Sequence, residues 1–258
     1  MKIVAIGGGR IISKSTISID KEIIRLSGKK HPKLLFIPTA SADAEDYWRR
    51  IQNYFGVFLK CETDALFLIR ERPSKAVIER KISAADIIYV GGGNTLMMMR
   101  RWRRLGVDKL LRKACGKETV LCGMSAGSIC WFESGHSDSM SFYDPRKWGY
   151  INVRGLGFIK GINCPHYDSH TLGTARRKRF QTMIRKTGGF GIAIEDNCAI
   201  EFIDDGRFRV VASKLRAGAY KVYKKNGRVF TERIAQRRSF TPLAELYKTN
   251  LPPMSGIR

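Results

Sequence analysis

The stretch LCGMSAGSIC, residues 121–130, decides the fold, because an apolar run leads here through glycines and a serine into a helix-like segment. Ser125 stands between Gly123 and Gly127 and matches the G-x-S-x-G pattern of a nucleophile elbow. In such a turn the two glycines avoid backbone crowding, and the serine hydroxyl is lifted clear of the sheet. A serine that only caps the following helix is the simpler alternative.

The segments on both sides of this stretch predict an α/β protein with a mostly parallel sheet. The predicted strands are 2–9, 33–40, 64–69, 86–95, 118–125 and 158–166, and the predicted helices are 44–59, 74–85, 95–115 (broken near Gly106), 126–134 and 174–188. A loop-like stretch covers 134–160. From 189 to 230, period-two runs separated by Asp-Gly, Ala-Gly and Asn-Gly predict antiparallel strands added to the sheet.

The length of 258 residues favours one domain over 1–235, with a C-terminal tail at 236–258. The six cysteines form no CxxC pair and are interpreted as free buried thiols. The N-terminus lacks a signal-peptide core, and no apolar run approaches the roughly 18–20 residues of a membrane span. We therefore expect a cytoplasmic protein with no membrane partner.

Charge is the unusual bulk property, since 47 Lys and Arg against 23 Asp and Glu leave a net charge of +24. Basic residues cluster at 100–113, 176–179 and 220–228 but also occur singly along the whole chain. This positive charge has three interpretations: solvated basic faces, an acidic small substrate, or a surface that binds nucleic acid or another polyanion. The even spread favours solvated faces.

A nucleophilic serine needs a base, and the chain has four histidines. His166 ends the strand after the elbow and is expected at the same sheet edge as Ser125. His170 is the alternative. His136 follows the elbow too closely to reach back, and His31 precedes a strand at the opposite edge.

Three carboxylates are candidates for the acid that orients the base. Asp138 begins an irregular loop from which it can fold back toward His166. Glu133, in the last turn of the predicted helix, remains the alternative. Asp168 is too close to His166 in sequence to hold its ring easily.

Two backbone segments are candidates for an oxyanion site. The N–H of Ala126 lies at the start of the predicted helix, and the VGGGNT loop at 90–95 offers freely oriented N–H groups. A phosphate cradle, or a simple turn before a helix capped by Asn94, is the alternative for that loop. The glycines at 7–9 do not complete a dinucleotide-binding pattern.

Taken together, these segments resemble the S51 serine peptidases, the peptidase E or α-aspartyl dipeptidase family, whose wider clan includes cyanophycinase. The residues that carry the resemblance are YVGGGNTLMMM (89–99), CGMSAGSICWF (122–132), SDS (137–139), NCPHYD (163–168) and GIAIEDNCAIEF (191–202). The resemblance implies a three-layer α/β sandwich like the class-I glutamine amidotransferases, a flavodoxin-like arrangement with C-terminal antiparallel additions.

The resemblance also implies roles for individual residues and requires neither a metal nor a cofactor. It makes Ser125 the nucleophile, His166 the base and Asp138 the acid. It implies that the oxyanion is stabilised by Gly92, Gly93 and Ala126. It also implies that the substrate is bound by Arg176 and Asn94. In the aspartyl-dipeptidase branch an arginine beyond the catalytic histidine selects an N-terminal Asp, and Arg177 or Arg179 could replace Arg176 here. The loop at 140–157 departs from that branch.

The expectation is a serine peptidase, monomeric or homodimeric, that hydrolyses short peptides through an acyl-enzyme on Ser125. A dipeptidase or exopeptidase acting on N-terminal Asp-X is the candidate form. The alternatives are a cyanophycinase-like β-aspartyl peptidase, an esterase-like or inactive relative, and a polyanion-binding module that uses the +24 surface.

Overall fold

A computed structural model describes residues 1–171, 173–203 and 206–249. In these ranges the strands are β1 (Lys2–Ile6), β2 (Lys33–Ile37), β3 (Glu62–Ala65), β4 (Ile87–Val90), β5 (Val120–Met124), β6 (Phe132–Ser137), β7 (Ile151–Arg154), β8 (Ile159–Cys164), β9 (His170–Thr171), β10 (Thr174–Ala175), β11 (Phe190–Ile194), β12 (Cys198–Ile203), β13 (Arg207–Ala212), β14 (Ala219–Lys225), β15 (Arg228–Arg233) and β16 (Thr241–Pro242). The helices are α1 (Ile17–Ser27), α2 (Glu45–Ile51), α3 (Lys75–Ala84), α4 (Thr95–Leu105), α5 (Val107–Cys115), α6 (Ala126–Ile129), α7 (Arg176–Thr187) and α8 (Leu243–Tyr247). A π-helical segment, Gln52–Phe58, continues α2.

The first sheet contains eight strands in the order β16-β13-β12-β1-β5-β4-β2-β3. Strands β1, β5, β4, β2 and β3 run parallel, and their crossover helices cover both faces. Strands β12, β13 and β16 extend the sheet antiparallel beyond β1. The α/β sandwich with C-terminal antiparallel strands is therefore confirmed.

A second sheet of six strands, in the order β15-β14-β11-β8-β6-β7, packs on the face opposite α1. The sequence led us to expect β8 in the same sheet as β5. Instead β8 pairs with β6 and β11. The antiparallel run from 189 onward is shared between the two sheets, because the chain crosses from β11 in the second to β12 in the first.

The predicted break near Gly106 is present, because this residue separates α4 from α5 in a left-handed conformation with φ of 73°. The predicted helix 126–134 is much shorter than expected. Helix α6 ends at Ile129, and residues from Phe132 onward form β6, where Phe132 is buried. Part of the predicted loop 134–160 is consequently strand.

Residues 241–247, inside the expected tail at 236–258, form a strand and a helix. Strand β16 pairs with β13, and Leu246 of α8 is fully buried. The part of this tail from residue 250 onward lies outside the described residues. The domain at 1–235 stays a prediction.

The cysteines agree with their interpretation as buried free thiols. All six cysteines are buried free thiols. Among the helices of the described ranges, none combines the length and apolar character that crossing a membrane requires.

Helix α1 carries a buried carboxyl group, that of Asp20. Asp20 is almost completely buried, and its Oδ2 accepts hydrogen bonds from the hydroxyls of Thr16 and Tyr54, both at 2.8 Å. Its Oδ1 has no partner among the described residues. Burial raises the pKa of Asp20 to about 7 against the opposing effect of the two hydrogen bonds, so the carboxyl group holds a proton well above its usual range.

Replacing Asp20 by Asn tests this buried proton. Between about pH 4 and about pH 7 the native state holds a proton that the unfolded state has released, so wild-type stability falls as the pH rises. We expect the free energy of unfolding of Asp20→Asn, relative to wild type, to grow over this range and to level off above it. Urea unfolding at several pH values measures the difference, with the exposed Glu71→Gln as control. A difference that is constant with pH contradicts a buried proton.

Candidate active site

Ser125 lies in a strained turn between β5 and α6. Its φ of 58° and ψ of −112° are unusual for a residue with a side chain and cost about 1–3 kcal/mol. A Cβ on Gly123 would collide with the carbonyl of Gly127, and one on Gly127 with that of Val90. The Ser125 side chain makes no capping hydrogen bond to α6, which argues against the capping alternative.

The end of β1 holds three segments of the site together through consecutive carbonyl groups. The carbonyl of Ile6 accepts a hydrogen bond from the N–H of Ser125 at 3.2 Å. The next carbonyl, of Gly7, accepts one from His166 at 3.2 Å, and the carbonyl of Gly8 accepts one from Asn197 at 2.8 Å. Ser125 and His166 therefore come to the same place although they follow strands of different sheets.

Gly7 and Gly8 permit this approach because neither position has room for a side chain. A Cβ on Gly7 would overlap the carbonyl of Glu195. One on Gly8 would overlap Asp196 Oδ1 and the His166 ring. These glycines belong to the 7–9 run, which does not complete a dinucleotide-binding pattern, and the signal for their role in the sequence is their position directly after a buried strand.

His166 and Asp196 form a close pair next to Gly8. The ring Nδ1 of His166 lies 2.6 Å from Asp196 Oδ1, and the side chains retain 28% and 39% of their exposure. His166 has a left-handed φ of 52°, which turns the chain back after β8. Asp168 Oδ1 accepts the backbone N–H of Asp196 at 2.9 Å, so Asp168 contacts the backbone of Asp196 rather than the His166 ring.

The carboxylate of Asp196 remains ionised. Burial acts to raise its pKa, but the hydrogen bond with His166 and the nearby charges of His166, Arg176 and Arg10 outweigh burial and lower it. An ionised acceptor at Nδ1 fixes the tautomer that leaves the other ring nitrogen, Nε2, able to accept a proton.

Asp138, the expected acid, lies elsewhere. Its Oδ2 is 3.7 Å from Nη1 of Arg176, while the Nδ1 of His166 is taken by Asp196. The alternative, Glu133, lies on β6, where its carboxylate accepts the N–H of Gly161 at 2.8 Å. Asp138 was expected to be the acid because it is close to Ser125 in the sequence. Asp196 is more distant in the sequence, but the crossing from β11 to β12 brings it to His166.

Arg176 begins α7 and is buried, with its side chain 4% exposed. It donates through Nη2 to the carbonyl of His136 at 2.8 Å and lies over the ring of Tyr150, with Cζ 4.9 Å from the ring centroid. Its Nε has no partner among the described residues. Arg177 and Arg179 are exposed on the same helix, so Arg176 is the arginine that faces inward.

The other three histidines have different surroundings from His166. His136 is buried on β6 and stacks on Tyr150 with ring centroids 4.0 Å apart; burial, with the charges of Arg176 and Arg179, lowers its pKa to about 2. His170 is exposed on β9, and His31 is exposed with its Nδ1 2.9 Å from the carbonyl of Lys60.

The glycine loop after β4 faces the serine. A Cβ on Gly92 would lie 3.2 Å from that of Ser125, so the Gly92 backbone adjoins the serine. Gly93 has a φ of 135° and packs against the carbonyl of Ala40, a conformation that requires glycine. Asn94 is buried and caps α4, its Oδ1 accepting the N–H of Met97 at 3.0 Å. The structure thus gives Asn94 a capping contact.

The fold and this turn define the class, an α/β protein with a glycine-flanked serine between a strand and a helix. The chain belongs to peptidase family S51, whose sequence model matches residues 3–210. Family membership makes the chain a peptidase.

Curated relatives carry the same description. The chain is 35% identical to the uncharacterized peptidase YgaJ of Bacillus subtilis (strain 168), over 86% of this chain and 91% of YgaJ. It is 28% identical to the uncharacterized peptidase Lmo0363 of Listeria monocytogenes serovar 1/2a, over 52% of this chain and 65% of that protein.

Solved structures share the fold at low sequence identity. A peptidase from an acI-B1 Actinobacterium superposes with a TM-score of 0.68 at 16% identity, covering 93% of this chain and 96% of that one. A putative peptidase E protein from Listeria monocytogenes EGD-e gives a TM-score of 0.57 at 17% identity, covering 91% and 98%.

A Gly8→Ala substitution tests the close approach at the end of β1. The new methyl group overlaps the Asp196 carboxylate and the His166 ring, so we expect peptidase activity to fall at least about 100-fold while the fold persists. Turnover and circular dichroism measure the two effects. The control is Gly116→Ala, where an added Cβ meets nothing nearer than 3.6 Å. Equal activity of the two variants contradicts the proposed crowding.

Proposed function

We propose that this chain is a serine peptidase that cleaves short peptides through an acyl-enzyme on Ser125. The observation that carries the proposal is the end of β1, whose successive carbonyls bind the backbones of Ser125, His166 and Asn197. The strained φ of Ser125 and the 2.6 Å contact of His166 with Asp196 support it.

In the proposed mechanism Ser125 Oγ attacks the scissile carbonyl carbon while His166 Nε2 accepts the hydroxyl proton. The developing oxyanion is stabilised by backbone N–H groups of Ala126 and of the Gly92–Gly93 loop. His166 then delivers the proton to the leaving amine, the C–N bond breaks, and a peptide or amino acid departs. A water molecule, deprotonated by His166, hydrolyses the ester on Ser125 and restores the serine.

Asp196 orients His166 and stabilises its charged form in both half-reactions. Asp138 instead balances the charge of the buried Arg176, whose guanidinium it approaches to 3.7 Å. We propose this division because one carboxylate contacts the imidazole and the other contacts a cation.

The two carboxamide variants separate these roles. We expect Asp196→Asn to lower kcat by about 10⁴-fold, because the wrong imidazole tautomer is stabilised. Asp138→Asn should change kcat less than about tenfold but destabilise the fold, because it weakens the pairing of a buried charge. Steady-state kinetics and thermal unfolding on both variants measure this. The opposite order of kcat losses would return the acid role to Asp138.

The finer substrate proposal is a dipeptidase that prefers N-terminal Asp. Arg176 is a buried cation whose charge acts on Asp196, so it lies near the chemistry. Its Nε is unpartnered among the described residues and its contact with Asp138 is long, which leaves hydrogen-bonding capacity for an incoming carboxylate. Hydrolysis of a dipeptide library with varied N-terminal residues measures this preference.

Ser125→Ala tests the proposed nucleophile. We expect no labelling by a fluorophosphonate probe and a loss of about 10⁶-fold in kcat, because no acyl-enzyme can form. Intact-mass spectrometry detects the adduct, and Ser83→Ala, on the distant exposed face of α3, serves as control. Turnover of Ser125→Ala at the rate of Ser83→Ala would refute the mechanism.

A further inference from the structure

A cleft of about 670 Å³ opens beside the candidate site, on the side of the first sheet that carries α1 and α2. One wall is the loop 9–13 that follows β1, and the other is the start of α2 with Tyr47. Met124, the residue before Ser125, lies at its base. The cleft is therefore continuous with the nucleophile turn.

The opposite wall also connects the cleft to the glycine loop after β4. The ring of Tyr47 approaches Gly91 so closely that a Cβ there would lie 3.0 Å from Cε1. Burial raises the pKa of Tyr47 to about 12, opposed by a hydrogen bond with the Gly92 backbone. Tyr47 thus remains a neutral phenol between the cleft and the backbone that faces Ser125.

Two exposed guanidinium groups line this cleft, Arg10 on the loop and Arg50 on α2. Among the described residues neither guanidinium has a hydrogen bond or ion pair, whereas Arg49 next to Arg50 pairs with Glu45 at 2.5 Å. Asp46 also lines the cleft, so two positive charges face one negative charge. The cleft is suited to an anionic group.

The backbone of Arg10 is held in place. Its N–H donates to Ser15 Oγ at 2.8 Å, and its carbonyl accepts the N–H of Ser15 and the hydroxyl of Ser13, both at 3.2 Å. The side chain therefore projects from a fixed point without a partner of its own, which lowers the entropy lost when it binds a ligand.

The position of Arg10 decides which part of a substrate it meets. Arg10 lines the same cleft as Met124, which precedes Ser125, and it is two residues from Gly8, where an added Cβ would meet the His166 ring. The leaving amine must lie beside the imidazole that protonates it. In a dipeptide the free carboxylate is separated from that amine nitrogen by a single α-carbon.

We propose that Arg10, with Arg50 from the opposite wall, binds the free C-terminal carboxylate of the leaving residue. This inference rests on the proposed function. The pair would make the enzyme an exopeptidase that releases one C-terminal residue, with dipeptides as its simplest substrates. The guanidinium fork matches the two carboxylate oxygens, and an amide in the same place offers no negative charge.

The experiment compares Asp-Leu and Ala-Leu with their C-terminal amides, Asp-Leu-NH₂ and Ala-Leu-NH₂. We expect kcat/KM of wild type to be at least about tenfold higher for the better free dipeptide than for its amide. Arg10→Gln and Arg50→Gln should each lower that ratio at least about threefold, mainly through KM of the free dipeptide. Arg49→Gln, the matched neighbour outside the cleft, should keep the wild-type ratio.

A ratio near one in wild type, or a wild-type ratio retained in Arg10→Gln, overturns the proposal. An equal loss on dipeptide and amide in Arg10→Gln also overturns it, because Arg10 then acts only through Asp196.

Calorimetry on Ser125→Ala with the same four peptides gives a readout without turnover. Tighter binding of the free dipeptides, lost in Arg10→Gln, supports the proposal, and no difference between acid and amide refutes it. Fluorophosphonate labelling of wild-type Ser125 reports separately on the proposed function.

Discussion

The carbonyls of Ile6, Gly7 and Gly8 are the contacts on which the rest of the site depends, because each binds a different segment. β1 lies between β5 and β12 in the first sheet, so one neighbour supplies Ser125 and the other begins just after Asp196. His166 arrives from the second sheet. Without a short, side-chain-free end to β1, these three groups could not meet.

This arrangement concentrates backbone strain where the chemistry is proposed. Ser125 and His166 both have φ above 50°, a region that side chains rarely adopt, and Asn197 follows with φ of 62°. Such conformations persist because the surrounding ladder of both sheets over-determines them. At both positions the chain turns sharply just after a strand, β5 for Ser125 and β8 for His166.

Around the site, Asp196, His136 and Arg176 each have their own partner. Asp196 faces the imidazole and stays ionised, while His136 is buried, neutral and stacked on Tyr150. Arg176 is neutralised in part by Asp138. The net charge of +24 is therefore not the feature that organises the site, although Arg10 near Asp196 shows one place where it reaches the cleft.

Sequence patterns predicted the features of the fold that depend on interactions between residues close together in the chain. The glycines around Ser125 and the break at Gly106 follow from backbone geometry within a few residues, and a cap by Asn94 was the alternative given for the loop at 90–95. The helix α1 was not predicted, although its isoleucines, including Ile19 and Ile23, follow helical spacing.

Sequence distance misled the prediction where tertiary contacts decide. Asp138 is nearer than Asp196 to Ser125 along the chain, yet the crossing between sheets at 195–197 places Asp196 on the imidazole. Strand β8 was expected in the wrong sheet because the chain enters the second sheet at β6, a segment predicted as helix and loop. The glycines at 7–9 match no full nucleotide-binding pattern, and their role depends on tertiary structure, because β12 begins and β8 ends beside them.

A crystal structure of the chain with a phosphonate bound to Ser125 tests this account most directly. We expect phosphorus on Ser125 Oγ, His166 Nε2 within hydrogen-bond distance of the adduct, and His166 Nδ1 still on Asp196. A structure in which Nδ1 of His166 binds Asp138, or in which His166 is turned away from the adduct, would contradict it.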